Sequence, residues 1–250
     1  MNILKLSAYL NEILRVGDVP DYANALNGLQ VENSGEVSRV AASVDASERS
    51  IRAAIERSCN LLIVHHGLFW DGLGSIRGRR YRRLKLLLDH DVAVYSCHLP
   101  LDVHPKMGNN AILAEQLGIA IQGGFADFQH TPLGIWGKLE IGREALTARL
   151  EALLGVRVKL IAGGSEKVSR VGVVTGGAGS MIEAAVQAGL DAFITGEGAH
   201  HTYFDAMENG INVYYGGHYA TETFGVRALA AHLEEKFGLP GEFLDLPTGL

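Results

Sequence analysis

The fold is decided by the stretch Leu61-Leu-Ile-Val-His-His-Gly-Leu-Phe-Trp70. Its four leading apolar residues predict a strand buried on both faces, as found in a parallel sheet covered by helices. His65 and His66 follow where this strand leaves the sheet, which is where ligands collect in open α/β sheets. Neighbouring strand residues point to opposite sides, so we expect the two imidazoles to serve different atoms, one metal ion for each histidine.

Composition indicates a globular protein of one large or two small domains. The 250 residues are 47% hydrophobic and 20% charged, which excludes a disordered chain. A net charge of −6 gives no general electrostatic reason to bind nucleic acid, although a local basic patch remains an alternative. Two cysteines, Cys59 and Cys97, are too few for a disulfide framework and favour a reducing compartment.

The N-terminal segment predicts an amphipathic helix rather than a signal peptide. Ile3, Leu6 and Leu10 recur at helical spacing, and Lys5 and Glu12 interrupt the apolar run. The sequence has no uncharged apolar run of about 18 residues, so we expect no membrane span. Together with the cysteine content, this predicts a cytoplasmic protein.

Strands and helices alternate along the rest of the chain, which predicts an α/β fold with much parallel sheet. Leu133–Ile141 alternates in the manner of an exposed edge strand. Further strands are predicted at Val37–Val44, Val92–Cys97, Val156–Ile161, Val168–Val174, Asp191–Thr195 and Ile211–Tyr215.

An internal duplication underlies this alternation. Val-Ser-Arg-Val occurs at 37–40 and again at 168–171, an offset of 131, and after a length change the offset becomes 120. At that second offset His98 matches His218 and Asp102 matches Glu222. We therefore expect two similar three-layer α/β halves, pairing 37–118 with 168–238, with a metal site in the cleft between them. The expected halves are 1–125 plus 211–250, and 126–210.

Imidazole and carboxylate groups follow the predicted strands in both copies. They are His65, His66, His98, Asp102, Glu197, His218 and Glu222. This ligand set suits zinc, iron, manganese or nickel better than calcium or magnesium alone, and it exceeds what one zinc ion uses. His218 and Glu222 are four residues apart and can meet one cation, whereas Pro100 argues against helical geometry between His98 and Asp102. The alternative is that each histidine is simply hydrogen-bonded at a strand end.

A glycine-rich motif and an arginine cluster each have two possible interpretations. Gly176-Gly-Ala-Gly could cradle a phosphate at a helix N-terminus or form a tight turn. The Arg77–Arg83 cluster could bind substrate phosphates or be a solvated or subunit surface. Cys97 is expected to be a small core residue rather than a thiolate ligand. His104 and His130 are expected to be solvated loop residues, and polar surface is favoured over a ligand role for His200 and His201.

Four motifs in this order resemble the GTP cyclohydrolase 1 type 2 (Nif-three-like) family. They are Leu62-Ile-Val-His-His-Gly-Leu-Phe-Trp, His98-Leu-Pro-Leu-Asp-x-His-Pro-x-x-Gly-Asn-Asn, Thr195-Gly-Glu and Gly217-His-x-Ala-Thr-Glu. The resemblance implies a dinuclear metal centre, with ligands on His65, His66, Asp102, His218 and Glu222 and with Glu222 as the bridge. It also implies a homohexameric ring, a trimer of dimers, with the metal sites facing its interior.

The resulting hypothesis is a metal-dependent hydrolase acting on GTP or a related nucleotide. Metal-activated water would attack the purine imidazole ring, and Glu197 or His98 would move protons. One alternative is a two-metal phosphoesterase or amide hydrolase with a different substrate. Another is a non-enzymatic metal-binding or scaffold protein.

Overall fold

The computed structural model describes residues 1–70, 72 and 74–249. Asp71 and Leu73, within the glycine- and arginine-rich segment, lie outside the described residues. The chain divides into two compact units. The first comprises Met1–Leu101 and Gly225–Leu246, and the second comprises Asp102–Phe224 and the tail from Pro247.

The described residues form the following elements in chain order. The strands are β1 (Gly28–Val31), β2 (Val40–Asp45), β3 (Leu61–His66), β4 (Ala93–Ser96), β5 (Ala120–Phe128), β6 (Thr131–Gly142), β7 (Lys159–Ala162), β8 (Lys167–Val173), β9 (Ala192–Thr195), β10 (Asn212–Tyr215) and β11 (Gly241–Phe243). The helices are α1 (Ile3–Ile13), α2 (Glu48–Glu56), α3 (Gly78–Asp89), α4 (Leu99–Asp102), α5 (Asn109–Gln116), α6 (Arg143–Leu154), α7 (Ile182–Gln187), α8 (Thr202–Asn209), α9 (His218–Thr221) and α10 (Thr223–Phe237).

The first unit is built on a sheet whose centre is β3. The order of its described strands is β1-β4-β3-β2-β11, with β1 antiparallel and the others parallel. Leu62 and Val64 pack into a core with Ile51 of α2 and Leu87 of α3. Residues Leu61–Val64 are all fully buried, so the alternate side chains on the other face are covered as well. The strand predicted from the apolar run is confirmed, together with its burial on both faces.

The second unit is built on a sheet whose described strands run β5-β6-β8-β9-β10-β7. Strands β8, β9 and β10 are parallel, while β5, β6 and β7 are antiparallel to their neighbours. The expected edge position of Leu133–Ile141 is wrong, since β6 lies between β5 and β8. Its alternation comes from one covered and one open face, with Leu133 buried and Lys138 exposed.

Strand register supports the duplication. Val40 pairs with Leu61 in the first sheet, and Val171 pairs with Ala192 in the second, which is the same offset of 131 in both strands. In the third strand of each copy the equivalent residues are Tyr95 and Tyr214, both fully buried. The offset there is 119 rather than 120, so one residue is added between this strand and the following histidine motif.

A repeated polar clamp joins the first two strands of each copy. Asn60 Oδ1 accepts hydrogen bonds from the backbone N–H and hydroxyl of Ser38 and from the N–H of the next residue, at 2.9, 3.3 and 3.3 Å. Asp191 Oδ2 accepts the equivalent three bonds from Ser169 and the residue after it, at 2.9, 2.9 and 2.8 Å. Asn60 and Asp191 are themselves 131 residues apart, so the duplication extends to individual hydrogen bonds.

Replacing Asp191 with alanine is expected to lower the free energy of unfolding by about 2 kcal/mol, because three hydrogen bonds to one carboxylate oxygen are lost. The melting temperature should fall by about 4–8 °C. Asp191→Asn should be close to the parent at neutral pH, since Asn60 performs the same task with an amide. A melting curve for each variant tests this, and equal losses for both substitutions would contradict it.

The fall of folding stability at acid pH gives a second measurement on the Asp191 carboxylate. Burial acts to raise the pKa of Asp191, but the hydrogen bonds from Ser169 and Arg170 outweigh it and hold the pKa below its ordinary value. A lowered folded pKa contributes stability above the unfolded pKa and loses it as the pH falls through the folded value. Any advantage of the parent over Asp191→Asn should therefore disappear from about pH 3.8 downwards.

The unit boundaries differ from the expected halves. β10 pairs with β9 and β7, and β5 pairs with β6, so both strands belong to the second unit. The helix that follows the third strand of each copy lies in the other unit: α5 is in the second unit and α10 is in the first. Sequence order alone could not reveal this exchange. None of the helices in the described ranges has the length and apolar character that a membrane-spanning helix needs.

Candidate metal centre

The carboxyl end of β3 brings His65 and His66 together. His65 is fully buried, and its Nδ1–H donates to the carbonyl oxygen of Cys97 at 3.0 Å. His66 donates through Nδ1 to Asp45 Oδ1 at 2.9 Å. The ring centroids are 4.8 Å apart, so strand alternation does not separate the two rings. One ring nitrogen of each histidine lies within 4.8 Å of one from the other, so the assignment of one ion to each imidazole stays a prediction.

His98 is held by Asp21, a carboxylate that no sequence motif identifies. Its Nδ1–H donates to Asp21 Oδ1 at 2.8 Å, and Asp21 Oδ2 accepts from Asn27 Nδ2 and from the N–H of Leu99 at 2.8 and 2.9 Å. Burial acts to raise the pKa of Asp21, but the hydrogen bonds and charge of His98, with the bonds from Asn27 and Leu99, hold it below its usual value. Asp21 is therefore an ionised, buried acceptor that fixes the His98 ring.

The three imidazoles of the first unit form one cluster. One ring nitrogen from each of His65, His66 and His98 lies within 4.8 Å of the others. Trp70 presents its ring edge-on to His98, with centroids 4.8 Å apart, and to His66 at 5.8 Å. Each histidine donates its Nδ1–H to an oxygen, the arrangement that orients a metal-binding imidazole and makes Nε2 the ligand atom. The cluster thus fits a transition metal chemically.

Asp102 is presented by a short helix that was not expected. Residues Leu99–Asp102 form α4 despite Pro100, so the prediction of non-helical geometry there is wrong. Proline is tolerated in a first helical turn because the N–H it lacks has no intrahelical partner there. Asp102 is 7% exposed, and its Oδ1 accepts from Asn109 Nδ2 at 2.8 Å and Thr175 Oγ1 at 3.3 Å.

Two buried carboxylates lie together in the second unit. Glu222 is 2% exposed, and one of its carboxylate oxygens lies within 4.8 Å of one from Asp102. Two like charges at this distance in a desolvated site are unfavourable without a cation between or beside them. A cation beside the pair, either a metal ion or a protonated side chain, would relieve this repulsion.

His218 lies between two carboxylates. It begins α9, and its Nε2 is 3.2 Å from Glu222 Oε2, four residues on, while Nδ1 donates to Glu197 Oε1 at 2.8 Å. Burial alone would lower the pKa of His218, but the hydrogen bonds and charges of Glu222 and Glu197 outweigh it and raise the pKa to about 9. In the metal-free protein the imidazolium partly balances the acidic pair.

The loop that begins at Gly176 is a tight turn against this acidic pair. Gly176 has φ +72°, and its carbonyl oxygen accepts from the N–H groups of Gly196 and Glu197 at 2.8 and 3.1 Å. A Cβ on Gly176 would lie 2.1 Å from Glu222 Oε1. Of the two interpretations of the Gly-Gly-Ala-Gly motif, the structure therefore favours the turn, whose backbone packs directly on a candidate ligand.

Other residues singled out in the sequence are not among the candidate metal ligands of the described residues. Cys97 is fully buried and offers its carbonyl oxygen rather than a thiolate, as expected for a core residue. In the arginine cluster, Arg82 donates to Glu48 at 3.0 Å and Arg80 donates to the carbonyl oxygen of Gly72 at 2.7 Å. Both guanidinium groups therefore have partners within the protein. His200 and His201 are exposed.

Comparison with known proteins identifies the family of the chain. The family model described as Duf34/NIF3 (NGG1p interacting factor 3) matches residues 1–246. A protein of Deinococcus radiodurans named GTP cyclohydrolase 1 type 2 homolog is 44% identical over 249 residues, which cover 98% of this chain and 94% of that protein. The resemblance inferred from the four motifs is confirmed.

Solved structures extend the similarity to the fold. One titled "Structural genomics, protein ybgI, unknown function" is 40% identical, with a TM-score of 0.94 and full coverage of both chains. The crystal structure of TTHA1606 from Thermus thermophilus is 41% identical, with a TM-score of 0.88 and full coverage of both chains. The chain therefore belongs to the Duf34/NIF3 family.

Proposed function

We propose that the chain is a dinuclear metal-dependent hydrolase. The metal would be held by His65, His66, Asp102, His218 and Glu222. This set combines imidazole and carboxylate donors, which zinc, iron, manganese and nickel all accept. Support for a metal comes from the chemistry of each unit: a cluster of oriented imidazoles in the first, and a buried acidic pair in the second.

One observation carries the proposal. In each unit, candidate imidazole ligands donate Nδ1–H to a fixed oxygen, as His66 does to Asp45 and His218 does to Glu197. Histidines that merely fill a strand end do not require this common orientation, whereas metal-binding histidines nearly always have it. The shared orientation therefore supports a ligand role for these histidines.

The proposed substrate is a purine nucleotide such as GTP. Divalent ions held here would lower the pKa of water toward neutrality and act as Lewis acids. The reaction adds water at C8 of the purine imidazole ring, opens the ring and releases C8 as formate after a second water is consumed. His98, whose ring is oriented by Asp21, would carry a proton in these steps. The choice of substrate is supported by the name of the Deinococcus radiodurans relative.

Formate release from GTP tests this function. Metal-replete protein should release formate, and a chelator followed by metal addition should abolish and restore it. His218→Gln should lose at least about 100-fold of the rate, since a ligand and its orientation are removed. His90→Gln, at an exposed imidazole after α3, is the matched control and should keep the parent rate.

The other arms of this experiment separate the rival functions. A panel of phosphoesters, cyclic dinucleotides and amides hydrolysed much faster than GTP would favour a two-metal phosphoesterase or amide hydrolase. Metal binding with no turnover of any compound would favour a metal-binding or scaffold protein. Either result would exclude the GTP cyclohydrolase-like reaction as the main activity.

We also propose the homohexameric ring implied by the family resemblance. Light scattering of the metal-loaded chain should then give the mass of six chains. A mass of one or two chains at micromolar concentration would contradict this assembly. The measurement is independent of catalysis and uses the same preparation.

A further inference from the structure

Two of the proposed ligand histidines donate hydrogen bonds to carboxylates that are not themselves proposed ligands. From this geometry we infer that Asp45 and Glu197 are positioning residues of the metal centre, Asp45 for His66 and Glu197 for His218. The inference rests on the proposed metal centre and deepens it. It also gives Glu197 a role different from the proton carrier expected from the sequence.

The backbone on both sides of Asp45 is hydrogen-bonded where Asp45 meets His66. It is the last residue of β2 and the register partner of His66 on the parallel strand β3. The N–H of Ala46 donates to the carbonyl oxygen of His66 at 2.8 Å, and Ser50 Oγ donates to the carbonyl oxygen of Asp45 at 2.6 Å. With its backbone held on both sides, the Asp45 carboxylate accepts the Nδ1–H of His66 at 2.9 Å.

Glu197 is held by the glycine-rich turn of the second unit. Its N–H donates to the carbonyl oxygen of Gly176 at 3.1 Å, and its own carbonyl oxygen accepts from Gly179 at 3.1 Å. The carboxylate then accepts the Nδ1–H of His218 at 2.8 Å. The two carboxylates come from different copies of the duplication and at different strand positions, yet each reaches the same atom of its histidine.

A carboxylate acceptor determines which nitrogen of the imidazole carries the proton and how strongly the other nitrogen binds a metal. An ionised carboxylate cannot donate, so in the neutral imidazole that binds a metal the proton lies on Nδ1 and the lone pair on Nε2. The negative charge also makes the imidazole a stronger ligand, and the hydrogen bond stops the ring from rotating. His65 differs, because its Nδ1–H donates to the neutral carbonyl oxygen of Cys97.

Other roles fit these residues less well. Within the described ranges, the groups of ligand atoms that lie within 4.8 Å of one another include neither Asp45 nor Glu197, so neither is itself a ligand candidate. Their side chains are 40% and 52% exposed, and ion pairs this exposed contribute little to folding stability. A positioning role accounts for both the geometry and the exposure.

Zn²⁺ affinity measured by chelator competition tests the inference. Asp45→Ala and Glu197→Ala should each weaken Zn²⁺ binding about 10–100-fold, the usual effect of losing such a partner. Asp45→Asn and Glu197→Gln should weaken it less, because the amide oxygen still accepts the Nδ1–H. Exposed acids elsewhere provide matched controls, Asp127→Asn and Glu208→Gln, which should bind as the parent does.

Two further readouts separate positioning from a structural role. The melting temperature of each metal-free variant should stay close to that of the metal-free parent. The visible absorption spectrum of the Co²⁺-loaded protein should change in the alanine variants and remain closer to the parent in the amide variants. Unchanged Zn²⁺ affinity in both alanine variants, while the parent binds, would overturn this inference alone. A parent that binds none of Zn²⁺, Mn²⁺, Ni²⁺ or Fe²⁺ would overturn the metal centre and the inference together.

Discussion

Replacing Asp102 with asparagine is expected to weaken metal binding by about 100-fold or more and, at the same time, to stabilise the metal-free protein. The loss of affinity follows from removing a negatively charged ligand, and 100-fold corresponds to about 2.8 kcal/mol. The gain in stability follows from the close approach of Asp102 to Glu222, whose carboxylate oxygens come within 4.8 Å. At an effective dielectric constant of about 20, two such charges repel by roughly 3 kcal/mol.

The net gain in stability should be smaller than this repulsion. His218, whose pKa is raised to about 9, is protonated at neutral pH and already offsets part of the charge. The asparagine oxygen can still accept the hydrogen bonds from Asn109 and Thr175, so little is lost there. We expect a net gain of about 1 kcal/mol, or a rise of about 2–4 °C in the melting temperature of the metal-free chain.

Glu222→Gln provides the contrast. It should weaken metal binding at least as much, but it also removes the carboxylate that contacts His218 at 3.2 Å. Breaking a buried pair by removing one partner is destabilising, so the melting temperature should not rise. The two variants should therefore lose metal together and diverge in metal-free stability. Equal melting temperatures for Asp102→Asn, Glu222→Gln and the exposed control Asp127→Asn would show that the acidic pair carries no strain.

Much of the fold could be predicted because its signals are local. An apolar run such as Leu61–Val64 has few structural solutions, and the recurrence of Val-Ser-Arg-Val marks the start of the same unit twice. The polar residues at the strand ends were identifiable for the same reason, since their places in the chain follow from the strands. The predicted residues His65, His66 and His98 do gather in one cluster.

The parts that could not be predicted depend on long-range contacts. Asp21 reaches His98 across 77 residues, and nothing in the turn-rich segment around it marks it as an acceptor. β5 and β1 have no strong apolar pattern, because each is only partly covered within its sheet. α4 was missed for a different reason, since Pro100 breaks helix interiors but not first turns.

Gly176→Ala is expected to weaken metal binding strongly and to lower the stability of the fold. The substitution has two costs. The backbone at φ +72° disfavours any residue with a Cβ, by roughly 1–2 kcal/mol. The new Cβ would also lie 2.1 Å from Glu222 Oε1 and 3.4 Å from His218 Nε2, so the carboxylate must leave its place. We expect a loss of at least about 100-fold in Zn²⁺ affinity, measured by chelator competition, and a melting temperature lowered by roughly 5–10 °C.

Gly189→Ala separates the two costs. Gly189 has nearly the same backbone angle, φ +68°, but the nearest atom to its Cβ is Arg170 Nη2 at 3.9 Å, an ordinary contact. This control should lose stability through backbone strain while keeping the parent affinity for Zn²⁺. If Gly189→Ala lost as much affinity as Gly176→Ala, strain transmitted through the unit would be the cause and the turn would have no special role. A loss of affinity confined to Gly176→Ala would mean that the turn is glycine-rich because its backbone must pack against a metal ligand. Adding Glu222→Asp to Gly176→Ala should then restore part of the stability, because the shorter side chain makes room for the Cβ, but it should not restore the affinity for Zn²⁺.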